Sequence, residues 1–125
     1  MKKIIKTAKA PLPIGPYNQA ILSNDTLYIS EQVPIDPATG VLVKDSIEAE
    51  ARQVMQNIKN ILEEAGLSFS DIVKTQIFIT DIKNFVIVNK VYAEYFTSNF
   101  PARDTIQVCN LPLGANVGIS AIAVA

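Results

Sequence analysis

The chain has 125 residues, 49% hydrophobic and 18% charged, with a formal net charge of −1. That balance suits one folded domain over residues 1–125 and argues against a disordered chain or a broad basic surface for nucleic acid. With no histidine and one cysteine, Cys109, the chain lacks the commonest general base and metal ligand, any internal disulfide and any two-cysteine metal signature. Catalysis would have to use carboxylates, arginine, tyrosine, hydroxyls, backbone groups or water.

Taken from the start, MKKIIKTAKAPLP is lysine-rich but has no long apolar segment and no cleavage site. It does not read as a signal peptide, and no apolar run reaches membrane-spanning length, so a soluble cytoplasmic protein is expected. In AILSNDTLYIS, Ala20–Leu22 and Leu27–Ile29 flank turn chemistry at Ser23-Asn24-Asp25, which predicts a hairpin. Pro34, Pro37 and Gly40 then predict a sharp turn through PIDPATGVLV. The strongest helical pattern is DSIEAEARQVMQNIKNILEEAGL. Its apolar positions Ile47, Ala51, Val54, Ile58, Ile61 and Ala65 form one stripe on a 3.6-residue period. Asp45 or Ser46 can cap its start, and Gly66 suits the left-handed residue after its end.

DIVKTQIFITD predicts a strand with Val73, Thr75, Ile77 and Ile79 on one buried face. NFVIVNKVYAEYF predicts a second helix through Phe85, Val88, Tyr92 and Tyr95, stopped by Pro101. DTIQVC and NVGISAIAVA are two further alternating strands, joined by NLPLGA. Cys109 reads as a small buried apolar residue rather than a nucleophile, since nothing nearby would lower its pKa. Strands, helix, strand, helix, strands make an α+β chain, with a mixed sheet and two helices on one face. The other face must meet something, and another subunit is the economical partner.

Four stretches in order, IGPYNQAI, LYISEQVPIDPATG, VMQNIKNILEEAGLSFSDIVKTQIFITDI and FPAR…LP…AIAVA, resemble the RidA (YjgF) family of reactive-intermediate deaminases. The resemblance spans nearly the whole chain. It implies a chorismate-mutase-like fold and a homotrimer whose sheets face a central barrel, with sites in the clefts between subunits. It further implies hydrolysis of small 2-imino acids, or their enamine tautomers, to 2-oxo acids and ammonia, with no metal or organic cofactor. Charge and hydropathy, separately, lead us to expect no nucleic-acid or membrane partner.

Arg103 matches the family arginine that holds the substrate carboxylate. A planar guanidinium fork suits that task. The ordinary alternative is a solvated arginine, or one paired with Asp104, but adjacent strand residues point to opposite faces. Tyr17 matches a pocket-lining residue whose hydroxyl could bond substrate or water. Ser30 falls in the family's S-G-Q loop; its ordinary reading is a strand-end hydroxyl bonding nearby backbone. Asn89 matches a frequent family asparagine and is expected to tie a helix to neighbouring backbone. Thr105 shares a face with Arg103, where the family often has cysteine.

Three positions depart from the pattern. Asp104 stands where a small residue is usual. Gly118 stands where the last strand usually carries a glutamate that positions water. Glu31 replaces the loop glycine. Glu31 therefore has three readings: it replaces the missing glutamate, it folds onto Arg103 and blocks the carboxylate site, or it faces solvent. A non-glycine residue there would also be strained if it needed a positive φ. The activity that follows is imine hydrolysis, weakened or altered. Rival readings are a non-catalytic module that binds small carboxylates, and a ribonuclease or translation inhibitor, which the mild acidity disfavours.

Overall fold

A computed structural model describes residues 2–125. It opens with a strand that pattern reading missed. β1 (Lys2–Ile5) is short and lysine-rich, as edge strands often are, and pairs antiparallel with β2 (Ala20–Ser23). The expected hairpin joins β2 to β3 (Thr26–Gln32), with Asn24 at its tip in a left-handed conformation, φ 55°. Asparagine tolerates that region better than most residues. The proline-rich turn becomes a separate ribbon of β4 (Ile35–Asp36) and β5 (Val41–Leu42).

Helix α1 (Ile47–Glu64) starts at Ser46, not Asp45: the Ser46 Oγ accepts a hydrogen bond from the Ala49 N–H at 3.0 Å. It ends before Gly66, which has φ 76°. The stripe Ala51, Val54, Ile58 and Ile61 is buried, with Ile47 and Ala65 packed at its margins. Met55 and Leu62 widen it.

The next strand, β6 (Ile72–Ile79), corrects one expectation. Thr75, Ile77 and Ile79 are buried, but Val73 is exposed and Ile72 takes its place in the core. The cause is a bulge. The register against β8 (Val117–Val124) slips between Ile72 and Lys74, which reverses the alternation at that end. A second correction concerns α2 (Phe85–Ala93), which stops well before Pro101. Its last turn tightens into i→i+3 bonds from the N–H groups of Glu94, Tyr95 and Phe96. Tyr95 and Phe96 then leave the helical path to pack on Phe69, at ring-centroid distances of 5.3 and 5.5 Å. A third concerns Cys109, which is exposed.

β7 (Ala102–Gln107) runs parallel to β6, and the sheet order is β1-β2-β3-β8-β6-β7. The remaining pairs are antiparallel, so the sheet is mixed, as expected. Helix α1 packs on β3, β8 and α2, on one face of the sheet. The opposite face carries Tyr28, Gln76, Ser120 and Ile122, and Tyr28 is exposed. Among the described residues, no helix is long and apolar enough to cross a membrane.

Two polar residues are buried with the apolar stripe of α1. Asn57 donates to the Ile35 carbonyl at 3.0 Å and ties the ribbon to the helix. Glu50 accepts from the Asn116 backbone N–H at 2.8 Å and from its side-chain amide at 2.7 Å. Asn116 also meets Thr80 through backbone and side chain. This node fixes the entry into β8, two residues before Gly118. Glu50→Ala would leave both Asn116 donors without their acceptor. Since hydrogen bonds to charged groups each contribute roughly 1.5–3 kcal/mol, a loss of about 3 kcal/mol is expected. Urea unfolding at fixed protein concentration should show a lower midpoint with an unchanged slope.

Candidate functional site

Arg103 sits on edge strand β7, opposite Thr75 of β6 in the parallel register. Thr75 faces the helices, so Arg103 does too. There α2 presents Phe85, Asn89 and Tyr92, at i, i+4 and i+7 on one helical face. The Arg103 Nη1 donates to the Asn89 Oδ1 at 2.7 Å. The guanidinium carbon lies 5.4 Å from the Phe85 ring centroid and 5.0 Å from that of Tyr92, both within cation–π range. Tyr92 is itself fixed by a 2.8 Å bond between its hydroxyl and that of Thr75. Burial raises the Tyr92 phenol above its ordinary range. Arg103 is therefore neither loosely solvated nor paired with Asp104. Lys74 takes Asp104 at 2.9 Å and, through that hydrogen bond first, holds its carboxyl below the usual range. Asn89 also differs from expectation, because it holds the arginine rather than backbone. Arg103, Asn89 and Tyr92 line an open cleft of about 410 Å³, with Phe100 and Pro101 at its edge.

Glu31 owes its direction to a second bulge. Between Ile29 and Gln32 the register of β3 against β8 slips, so that three steps on β3 match two on β8. The extra residue turns Glu31 toward Gly118, on the sheet face away from the helices. No positive φ is needed, so the strain contemplated from sequence does not arise. A Cβ built on Gly118 would lie 2.8 Å from the Glu31 Oε2 and 3.1 Å from its Cδ. The Glu31 carboxyl thus fills the volume that a side chain at position 118 would enter. Partial burial raises its pKa above the ordinary carboxylate value.

Glu31 lines a cleft of about 390 Å³ with Tyr17, Ser30 and Pro112. The Tyr17 hydroxyl has only a long 3.5 Å contact from the Ile14 N–H. Ser30 follows its ordinary reading, its Oγ donating to the Asn18 carbonyl at 2.7 Å. Thr105 lies on the Arg103 side of β7, opposite Ile77. One supporting residue escaped the sequence reading. Gln19 is 2% exposed; it accepts from the Thr7 N–H and surrounds its amide nitrogen with the carbonyls of Thr7, Ala10 and Pro11. It clamps the loop that carries Tyr17. Its place in GPYNQA, two residues after Tyr17, was the available signal.

The two clefts do not meet within one chain. Glu31 and Arg103 lie on opposite faces of the sheet, with β8 and β6 between their strands. Three strand spacings alone amount to roughly 14 Å. A pair between Glu31 and Arg103 of the same chain is excluded.

The sequence profile described as Endoribonuclease L-PSP matches residues 7–125. A human protein named 2-iminobutanoate/2-iminopropanoate deaminase is 46% identical over 99% of this chain and 90% of its own. The chain belongs to the RidA family. Among solved RidA-like structures, the Rid-family protein YyfA of Yersinia pestis superposes with TM-score 0.98 at 51% identity, covering all of both chains. TdcF of Escherichia coli, solved with bound serine, gives 0.94 at 39% identity over 98% of each chain. The α+β fold expected of a RidA protein is the fold found.

Proposed function

We propose that this protein hydrolyses small 2-imino acids to 2-oxo acids and ammonia, at sites each built from the Arg103 cleft of one subunit and the Glu31 cleft of the next in a homotrimer. The observation that carries this reading is the exchange between Glu31 and Gly118. A carboxyl is absent from position 118, where the family resemblance expects one, and a carboxyl from the β3 bulge fills the adjoining space. Two further points support it: relatives at 46% and 51% identity are named imine deaminases, and a 39% identical relative was solved with an amino acid bound.

In this reading, Asn89, Phe85 and Tyr92 hold the guanidinium so that its remaining N–H groups face outward as a fork for the substrate carboxylate. Tyr17 borders the reacting carbon. Water adds its oxygen to C2 of the protonated imine; the C=N electron pair moves onto nitrogen and Glu31 takes one water proton, which leaves a neutral carbinolamine. Glu31 then returns that proton to the nitrogen. The C–N bond breaks, ammonia leaves with the bonding pair, the C=O bond forms, and the hydroxyl proton passes to Glu31 and from there to the ammonia. A carboxyl with a raised pKa suits these transfers. Thr105, Ser30 and Asn89 support the pocket without taking a proton.

The test pairs a coupled assay, in which an amino-acid oxidase generates 2-iminobutanoate in situ and semicarbazide competes for it, with sedimentation equilibrium. Faster imine loss with a trimeric mass is expected. A stable monomer at micromolar concentration, or no acceleration, would sink the reading.

A further inference from the structure

We infer that the side-chain end of this site selects apolar 2-imino acids longer than the alanine-derived one, of the size derived from norvaline or leucine, and rejects acidic ones. The inference rests on the proposed imine chemistry and deepens it. It comes from the walls of the Glu31 cleft.

Those walls are apolar beyond Glu31 and Tyr17. Leu12, Ile14, Val33, Ile35 and Pro112 line a space of about 390 Å³. Leu12 is 55% exposed and Ile14 71% exposed, so both offer apolar surface that a ligand could cover.

Most polar groups along the same wall are already engaged. The Gln19 amide is held by the N-terminal loop, the Gln32 Nε2 donates to the Ser30 carbonyl at 3.1 Å, and the Ser30 hydroxyl donates to the Asn18 carbonyl at 2.7 Å. Tyr17, Glu31 and the Gln32 Oε1 are left to meet a polar ligand; the first two serve the reacting end, and the third belongs to a side chain only 5% exposed. A substrate hydroxyl would find at most that nearly buried acceptor. A second carboxylate would enter an apolar space that already holds the Glu31 carboxyl, with both desolvation and like charge against it.

The cleft is also preformed. Gln19 clamps the segment from Thr7 to Pro11, and the Asn60 Nδ2 on α1 donates to the Lys9 carbonyl at 2.7 Å. Leu12 and Ile14 follow directly from that anchored segment, so little ordering is required when a ligand arrives.

Each methylene fully buried is worth about fourfold in binding. A leucine-derived chain carries three more carbons than an alanine-derived one. Because the rim is half open, a preference of roughly tenfold to 60-fold in kcat/KM is expected.

The experiment compares imines generated in situ from alanine, norvaline, leucine and glutamate, using wild type, Arg103→Ala and the double variant Leu12→Ser/Ile14→Ser. Wild type should favour leucine over alanine by at least about tenfold and glutamate least of all. The double variant should lower the leucine-to-alanine ratio about fourfold or more, whereas Arg103→Ala should slow all substrates and leave the ratio in place. In parallel, calorimetry compares pyruvate with 4-methyl-2-oxopentanoate. A wild-type ratio near or below one, or a ratio unmoved in the double variant, overturns the apolar subsite while leaving imine hydrolysis intact. Tighter binding of the longer oxo acid without any turnover supports the subsite and overturns the chemistry. Absence of both turnover and oxo-acid binding overturns both.

Discussion

Replacing Arg103 with alanine is expected to lower kcat/KM for 2-imino acids by two to three orders of magnitude and to abolish measurable 2-oxo acid binding. Truncating one partner of a desolvated, hydrogen-bonded charge pair costs roughly 2–5 kcal/mol, and each 1.4 kcal/mol is about tenfold. The proposed trimer should not be disturbed by the change, because Arg103 packs on its own α2. Arg103→Lys should recover little. An ammonium can neither lie flat between the Phe85 and Tyr92 rings nor offer a planar fork while one donor stays on Asn89. Calorimetry with 2-oxobutanoate, backed by sedimentation, checks this. Equal affinities in wild type and Arg103→Ala would remove the carboxylate role.

The second large effect concerns Glu31. Loss of a general acid–base group typically costs 10²–10⁴-fold, and Glu31→Gln or Glu31→Gly should fall in that range. Gly118→Glu alone must push the Glu31 carboxyl aside, since its Cβ would stand 2.8 Å from the Glu31 Oε2. Combined with Glu31→Gly it finds the space vacated and should restore much of the rate. The pH response follows from burial. Because the Glu31 pKa is raised in the folded chain, the acidic limb of the kcat/KM profile should lie above the ordinary carboxylate value and vanish in Glu31→Gln. The same shift has a stability sign. Folding favours the protonated acid, so this stabilisation is full in acid and is lost as pH rises through the folded pKa. Glu31→Gln should therefore be more stable than wild type at neutral pH, with the difference closing in acid. If Glu31 instead lies on the Arg103 of a neighbouring subunit, Glu31→Gly raises 2-oxo acid affinity and the replacement account fails.

The sequence was most readable where one local rule acts alone. The 3.6-residue stripe from Ile47 to Ile61 located α1, and Asn24 and Gly66 marked chain reversals. Reading failed where partners distant in sequence decide the outcome. Val73 and Ile72 exchange faces because of a bulge that only the pairing with β8 defines. Tyr95 leaves its helix for a ring on Phe69. Glu50 and Asn57 look like ordinary surface positions of an amphipathic helix, yet their partners, one in the loop before β8 and one in β4, lie 66 and 22 residues away. At the candidate site, resemblance named Arg103, Tyr17, Ser30, Asn89 and Thr105 but left the direction of Glu31 open. Direction depended on a single extra residue in β3, which no periodicity reveals.

The separation of Arg103 and Glu31 onto opposite faces of one sheet bears on inheritance as well as chemistry. If each chain lends its arginine to one site and its glutamate to another, a lesion in either half is not confined to the subunit that carries it. A chain defective at Arg103 still brings a sound Glu31, and a chain defective at Glu31 still brings a sound Arg103. Co-expressed, two inactive alleles would assemble into mixed rings in which one junction joins the two intact halves. By the cyclic symmetry of such rings, about a quarter of all sites would work at equal dosage. Conversely, chains defective in both halves would poison sites on each side of themselves, so a double lesion would act dominantly where either single lesion complements the other.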